Sequence, residues 1–161
     1  MNTEKEVQFL KDVILLLQEA SAATPARWGK MTFQQMVEHL ADAIRIASGK
    51  KVYTEVITPE NQLEKFRAFL MSDKPFRENT VNPLMPATPA PVRNVSAREA
   101  LKELQVELHD FFAAFETDEL KTTRNPIFGD LNFEQNVQLL NKHVRHHLKQ
   151  FEIEVEKEIE S

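Results

Sequence analysis

A chain of 161 residues can bury one substantial core but not two, so it reads as a single domain over 1–161. Hydrophobic residues make up 42% and charged residues 28%, the balance of a globular protein, and a net charge of −5 without any basic run excludes the electrostatic footprint of a nucleic-acid binder. The absence of cysteine removes disulfides, thiolate ligands and any thiol nucleophile of the chain's own.

The first element opens at Thr3-x-x-Glu6, a capping box in which a short polar side chain caps the first turn and an acid or amide three residues on reaches back. Apolar residues then recur at three- and four-residue spacing, predicting a helix over about 3–20. Its longest apolar run, Val13 to Leu17, is far too short to span a membrane. The start, Met1-Asn2-Thr3-Glu4-Lys5-Glu6, lacks the apolar stretch of a signal peptide, so the expected location is cytoplasmic. A short link with Pro25 and Gly29 leads to a second capping box, Thr32-x-x-Gln35, and a helix over about 32–48. A minor helix is expected over about 59–71, with Pro59 at its first turn.

From Pro75 to Pro91 the prolines predict an extended crossover. The next helix starts at Ser96-x-x-Glu99 and covers about 96–117. Asn125-Pro126-Ile127-Phe128-Gly129-Asp130 reads as a breaker, and Asn132-x-x-Gln135 opens the last helix, predicted over about 132–158. Four capped starts and no convincing strand run predict an all-α four-helix bundle. The segment beginning Met31-Thr32-Phe33-Gln34-Gln35 resembles the one beginning Leu131-Asn132-Phe133-Glu134-Gln135, which we read as two helices solving the same start problem rather than as a repeat. The tail Phe151 to Ile159 places apolar residues on more than one side, the pattern of a homodimer contact or of a fraying end.

Three of the five histidines lie in Asn141-Lys142-His143-Val144-Arg145-His146-His147-Leu148. At about 100° per residue, Phe133, Val137, Leu140, Val144, Leu148, Phe151 and Val155 form one core-facing stripe. His143 and His147 lie at its edge, while His146 falls further round as a flanking residue. Two imidazoles four apart can reach one metal ion. The spacing equally fits half-buried histidines bonded to backbone or carboxylates. A third ligand is available in His39, which borders the buried stripe of the second helix and points inward if the second and fourth bundle helices are neighbours. Three neutral imidazoles with an open position describe a catalytic metal site. His109, beside the Leu101–Leu108 stripe, has no evident partner and reads as structural. No glutamate precedes a histidine by three residues, which disfavours a carboxylate-bridged di-iron site, and the His-Glu-x-x-His protease motif is absent.

Pro25-x-x-Trp28-Gly29-Lys30-Met31-Thr32-x-x-Gln35-Met36-Val37-x-His39-Leu40, together with His143-x-x-His146-His147-x-x-Gln150-Phe151, resembles the DinB-like (YfiT-like) superfamily, and within it a functionally uncharacterised branch. The resemblance implies an up-down-down-up bundle whose long proline-rich crossover joins the second and third helices. It also implies a metal triad at His39, His143 and His147, with zinc or nickel as the ion. Relatives of this kind are metal-dependent S-transferases or isomerases using low-molecular-weight thiols such as bacillithiol or mycothiol, and others are classed as hydrolases. Many relatives read His-His-Arg-Gly-Gln where this chain reads His146-His147-Leu148-Lys149-Gln150, so outer contacts of that helix need not carry over.

The expected function is therefore that of a metal-dependent transferase or hydrolase acting on a small molecule. The alternative is a non-catalytic small-ligand-binding or stress-related bundle with structural histidines. Lys74, Arg77 and Arg93 flank the crossover and are candidates for holding an anionic substrate or a thiol cofactor's carboxylates. His146 is a candidate for supporting the ligand histidines from outside, and the crossover is expected beside the mouth of the site.

Overall fold

A computed structural model describes residues 3–78 and 88–155 of the chain. It contains helices α1 (Thr3–Glu19), α2 (Phe33–Ser48), α3 (Glu60–Leu70), α4 (Ala97–Glu116) and α5 (Phe133–Gln150), with two short strands, β1 (Thr123–Asn125) and β2 (Gly129–Leu131). Most of the proline-rich crossover, residues 79–87, lies outside the described residues.

Three of the helix starts, those of α2, α4 and α5, follow from their caps. Thr32 Oγ1 accepts from the Gln35 amide while the Gln35 side chain accepts from the Thr32 amide, and Asn132 and Gln135 make the same reciprocal pair. Ser96 caps the Glu99 amide. Each such cap contributes about 1 kcal/mol by satisfying an amide that the helix leaves open. The likeness between the Met31 and Leu131 segments is thus a shared capping device.

Four long helices, α1, α2, α4 and α5, surround one apolar core. α2 packs along α4, α1 lies against α4 and α5, and α2 meets α5. Phe33, Phe111 and Phe151 are among its fully buried side chains, each stabilising the fold by about 1.5–3 kcal/mol through removal from water. A smaller cluster of Leu70, Phe128, Leu131 and Leu139 seats α3 and the strands on the outer side of α5.

Two expectations are corrected. The segment read as a breaker is a β-hairpin: Thr123 pairs with Leu131, Arg124 with Asp130 and Asn125 with Gly129. Pro126 sits in the loop, where its missing amide costs nothing, the Asn125 side chain accepts from the Ile127 and Phe128 amides, and Gly129 supplies the positive φ of 78° that closes the turn. Thr123 Oγ1 donates to the Ala47 carbonyl and accepts from Asn136, fastening the end of α2 to the start of α5.

The last helix also stops at Gln150 instead of running to about 158. Glu152 takes φ 56°, its amide bonds Lys149 O, and the Ile153 amide bonds Leu148 O. These two bonds around a left-handed residue form a Schellman stop, here with glutamate where glycine is usual. The apolar pattern beyond it is not helical through residue 155, and the rest of the tail lies outside the described residues.

α5 is buried on more faces than its apolar stripe predicts, because it touches α1, α2, α3 and β2. Four of its buried polar side chains reach backbone carbonyls of neighbouring segments, while the Gln138 amide is buried without a hydrogen-bond partner among the described residues. Asn136 donates to Leu131 O, Asn141 to Glu6 O, Lys142 to Ser72 O and Lys74 O, and Gln150 to Trp28 O.

Candidate metal centre

His39 lies on α2 at the edge of the buried Met36, Val37, Leu40 and Ile44 stripe, and His143 and His147 lie one turn apart on α5. Because α2 and α5 are neighbours, the three rings meet between them. Ring centroids are 4.8 Å apart for His39–His143 and for His143–His147, and 5.0 Å for His39–His147. One ring nitrogen from each residue lies within 4.8 Å of the other two, and His39 Nε2 and His143 Nε2 stand 2.9 Å apart.

This arrangement fits a metal ion. Nitrogens bound to one tetrahedral zinc at 2.0–2.1 Å lie roughly 3.3 Å from each other, so the rings need only small side-chain adjustments to share one. The ligand set is also in the right protonation state. Burial lowers the pKa of His39; Asp42 opposes this and His146 adds to it. His143 is held well below the ordinary histidine value by burial and by His147, His39 and His146. His147 is lowered to about 3 by burial and by His39, against the opposing effect of its hydrogen bond to Gln150 Oε1. All three are therefore neutral near pH 7, the form that ligates metal.

The surroundings are aromatic. His146, half-buried, faces the Trp28 ring at 5.4 Å and Phe76 at 6.1 Å, and stands edge-on to His147 at 5.2 Å. Phe76 also lies 6.4 Å from His143 and stacks on Phe69 at 5.7 Å. Phe76 belongs to the described start of the crossover, which thus lies against the histidines. Lys142 fixes that start: its ammonium donates to the carbonyls of Ser72 and Lys74 just past α3 and sits 4.9 Å from the Phe69 ring.

The other residues singled out in the sequence fall as follows. Lys74 and Arg77 are exposed beside Phe76 in the chain, and the backbone of Lys74 is the part that contacts Lys142. The Arg93 guanidinium is engaged by Glu103 at 2.8 Å and Asp42 at 3.1 Å, and its amide by Glu38. His109 projects from α4 with its side chain 81% exposed, beside Asp110, and takes no part in the cluster.

Three contacts at the site were not anticipated. Gln150 Oε1 lies 2.6 Å from His147 Nδ1, and its Nε2 donates to Trp28 O at 2.8 Å. Glu38, adjacent to His39, accepts from the amides of Arg93 and Asn94 and from the Asn94 side chain, which pins the end of the crossover to α2. Lys142 does the same for its start. Only Gln150 left a signal, since a residue three positions after a histidine shares its helix face.

The chain belongs to the DinB superfamily, whose family model matches residues 8–151. No curated protein and no solved structure matches it.

Proposed function

We propose that the protein is a metal-dependent enzyme acting on a small molecule, of the thiol S-transferase or hydrolase type, with His39, His143 and His147 holding a divalent transition metal, zinc or nickel. The observation that carries this reading is the meeting of three neutral imidazoles from two facing helices within 4.8 Å. Membership of a superfamily whose members are typically metal-dependent supports it. When bound, such an ion supplies a lowered pKa to water or to the thiol of a small cofactor. The chain itself contributes no thiol.

Its own residues hold and enclose. The histidines stay neutral because burial disfavours their charged form. Trp28, Phe76 and His146 form an aromatic wall beside them. Lys74 and Arg77, exposed at the start of the crossover, are the side chains we propose to meet an anionic part of the substrate. Arg93 would have to leave Glu103 and Asp42 to do so. The up-down-down-up order of α1, α2, α4 and α5 in a single domain belongs to the same reading.

One observation favours the alternative, a non-catalytic small-ligand-binding or stress-related bundle. His39 and His143 sit at direct hydrogen-bond distance, 2.9 Å, and so satisfy each other without an ion. Metal analysis of protein purified without a histidine tag, before and after reconstitution, separates the two. About one equivalent of metal per chain supports the enzyme; less than about a tenth, even after reconstitution, supports the alternative.

A further inference from the structure

Gln150 touches three things at once. Its backbone carbonyl accepts from the Arg27 amide at 2.8 Å, its side-chain Nε2 donates to the Trp28 carbonyl at 2.8 Å, and its Oε1 faces His147 Nδ1 at 2.6 Å. The Trp28 carbonyl can only accept, so the amide of Gln150 cannot turn over without placing oxygen against oxygen. Oε1 must therefore face His147, and because Oε1 can only accept, Nδ1 of His147 must carry the proton. The nitrogen left with a lone pair is Nε2, the one remaining for a metal.

We infer that Gln150 is a positioning residue that selects the Nδ1–H tautomer of His147, and that the Trp28–Gly29 turn fixes Gln150 in the orientation that does so. The turn is shaped for this contact. Gly29 has φ 78°, and a Cβ there would stand 3.1 Å from Gln150 Nε2, tighter than ordinary contact. A chain of fixed polarity thus runs from a backbone carbonyl between α1 and α2, through one amide side chain, to a histidine on α5. Its consequence for metal affinity rests on the function proposed above; the tautomer itself does not.

The test has two arms. In the metal-free protein, ¹⁵N NMR of the imidazoles reads the tautomer of His147 directly and needs no variant. The Nδ1–H form is expected, and an Nε2–H form overturns the inference. The second arm compares Gln150→Glu and Gln150→Leu, with circular dichroism as the folding control and Zn²⁺ alone as the probe. Gln150→Glu keeps an acceptor for Nδ1–H but leaves Trp28 O unpaired, and should bind Zn²⁺ at least as tightly as the native chain. Gln150→Leu should lose the single tautomer and bind Zn²⁺ about 10–100-fold more weakly. If the two variants behave alike, Gln150 serves only to anchor the turn and the inference fails. A native chain that shows the Nδ1–H tautomer but binds no Zn²⁺ would remove the proposed function and leave the inference standing.

Discussion

His146 and His147 are adjacent in the chain yet meet different surroundings, because one step along a helix turns the side chain by about 100°. His147 is buried against His39 and His143, whereas His146 looks toward Trp28 and Phe76. His147→Ala should leave two imidazoles and abolish tight metal binding, while His146→Ala should weaken it by no more than about 10–100-fold. Metal affinity of both variants at matched pH checks this, and equal retention would exclude His147 as a ligand. The separation of these two histidines was legible in the sequence, since the helical period alone orients them. The grip of Gln150 was not, because its second partner is a carbonyl 122 residues away in a turn. Lys142 was equally hidden: a lysine on a helix is ordinarily solvated, and only the arrival of the Ser72 and Lys74 carbonyls, just past α3, gives it a buried role.

At the scale of elements, starts were readable and one stop was not. Thr32, Ser96 and Asn132 announce their helices because a cap is a local device within four residues. The end of α5 depends on Glu152 adopting φ 56°, a conformation that its residue type does not advertise. The two strands were missed for a related reason. Three residues each are too few for an alternating pattern, and the hairpin relies on Asn125, Gly129 and its bonds to α2 and α5. Glu152 costs about 1–2 kcal/mol in its left-handed position, which glycine would not. Glu152→Gly should therefore raise stability by about 1 kcal/mol, with little lost from the exposed 3.6 Å pairing to Arg27. Urea denaturation measures the difference; an unchanged midpoint would mean that the glutamate side chain compensates for its own strain.

Across the whole molecule, α2 and α4 are joined by a charged seam. Arg45 reaches Asp42, Glu103 and Glu107, Lys50 reaches Glu107, and Arg93 reaches Glu103 and Asp42. Burial works to raise the Glu103 pKa, but hydrogen bonds from Arg93, Arg45 and Asn94 prevail and lower it to about 2. With the folded value below the ordinary 4.5, its stabilisation is present above pH 4.5 and disappears as pH falls toward 2. The histidines act earlier. His147 titrates at about 3 when folded against an ordinary 6.5, so the unfolded chain takes up its proton first as pH drops below 6.5. The metal-free protein should therefore lose stability in two stages, one beginning near pH 6.5 and a second near 4.5. Urea denaturation from about pH 7 to about pH 3 tests this. A curve flat down to the carboxylate range would contradict the burial of neutral imidazoles, and Glu103→Gln should remove part of the second stage only.

Trp28 is the only tryptophan in the sequence, and its ring stands 5.4 Å from His146 while its carbonyl holds the side chain that holds His147. All of the protein's indole emission therefore originates beside the histidines, with no second fluorophore of that kind to dilute it. An open-shell ion such as Ni²⁺ or Co²⁺ arriving among the three rings should quench that emission, whereas closed-shell Zn²⁺ should shift it without extinguishing it. A titration followed at indole wavelengths would then count occupied sites directly, and emission indifferent to Ni²⁺ at saturating concentration would place the ion elsewhere. The chain carries its own optical gauge at the one place where its chemistry is proposed to occur.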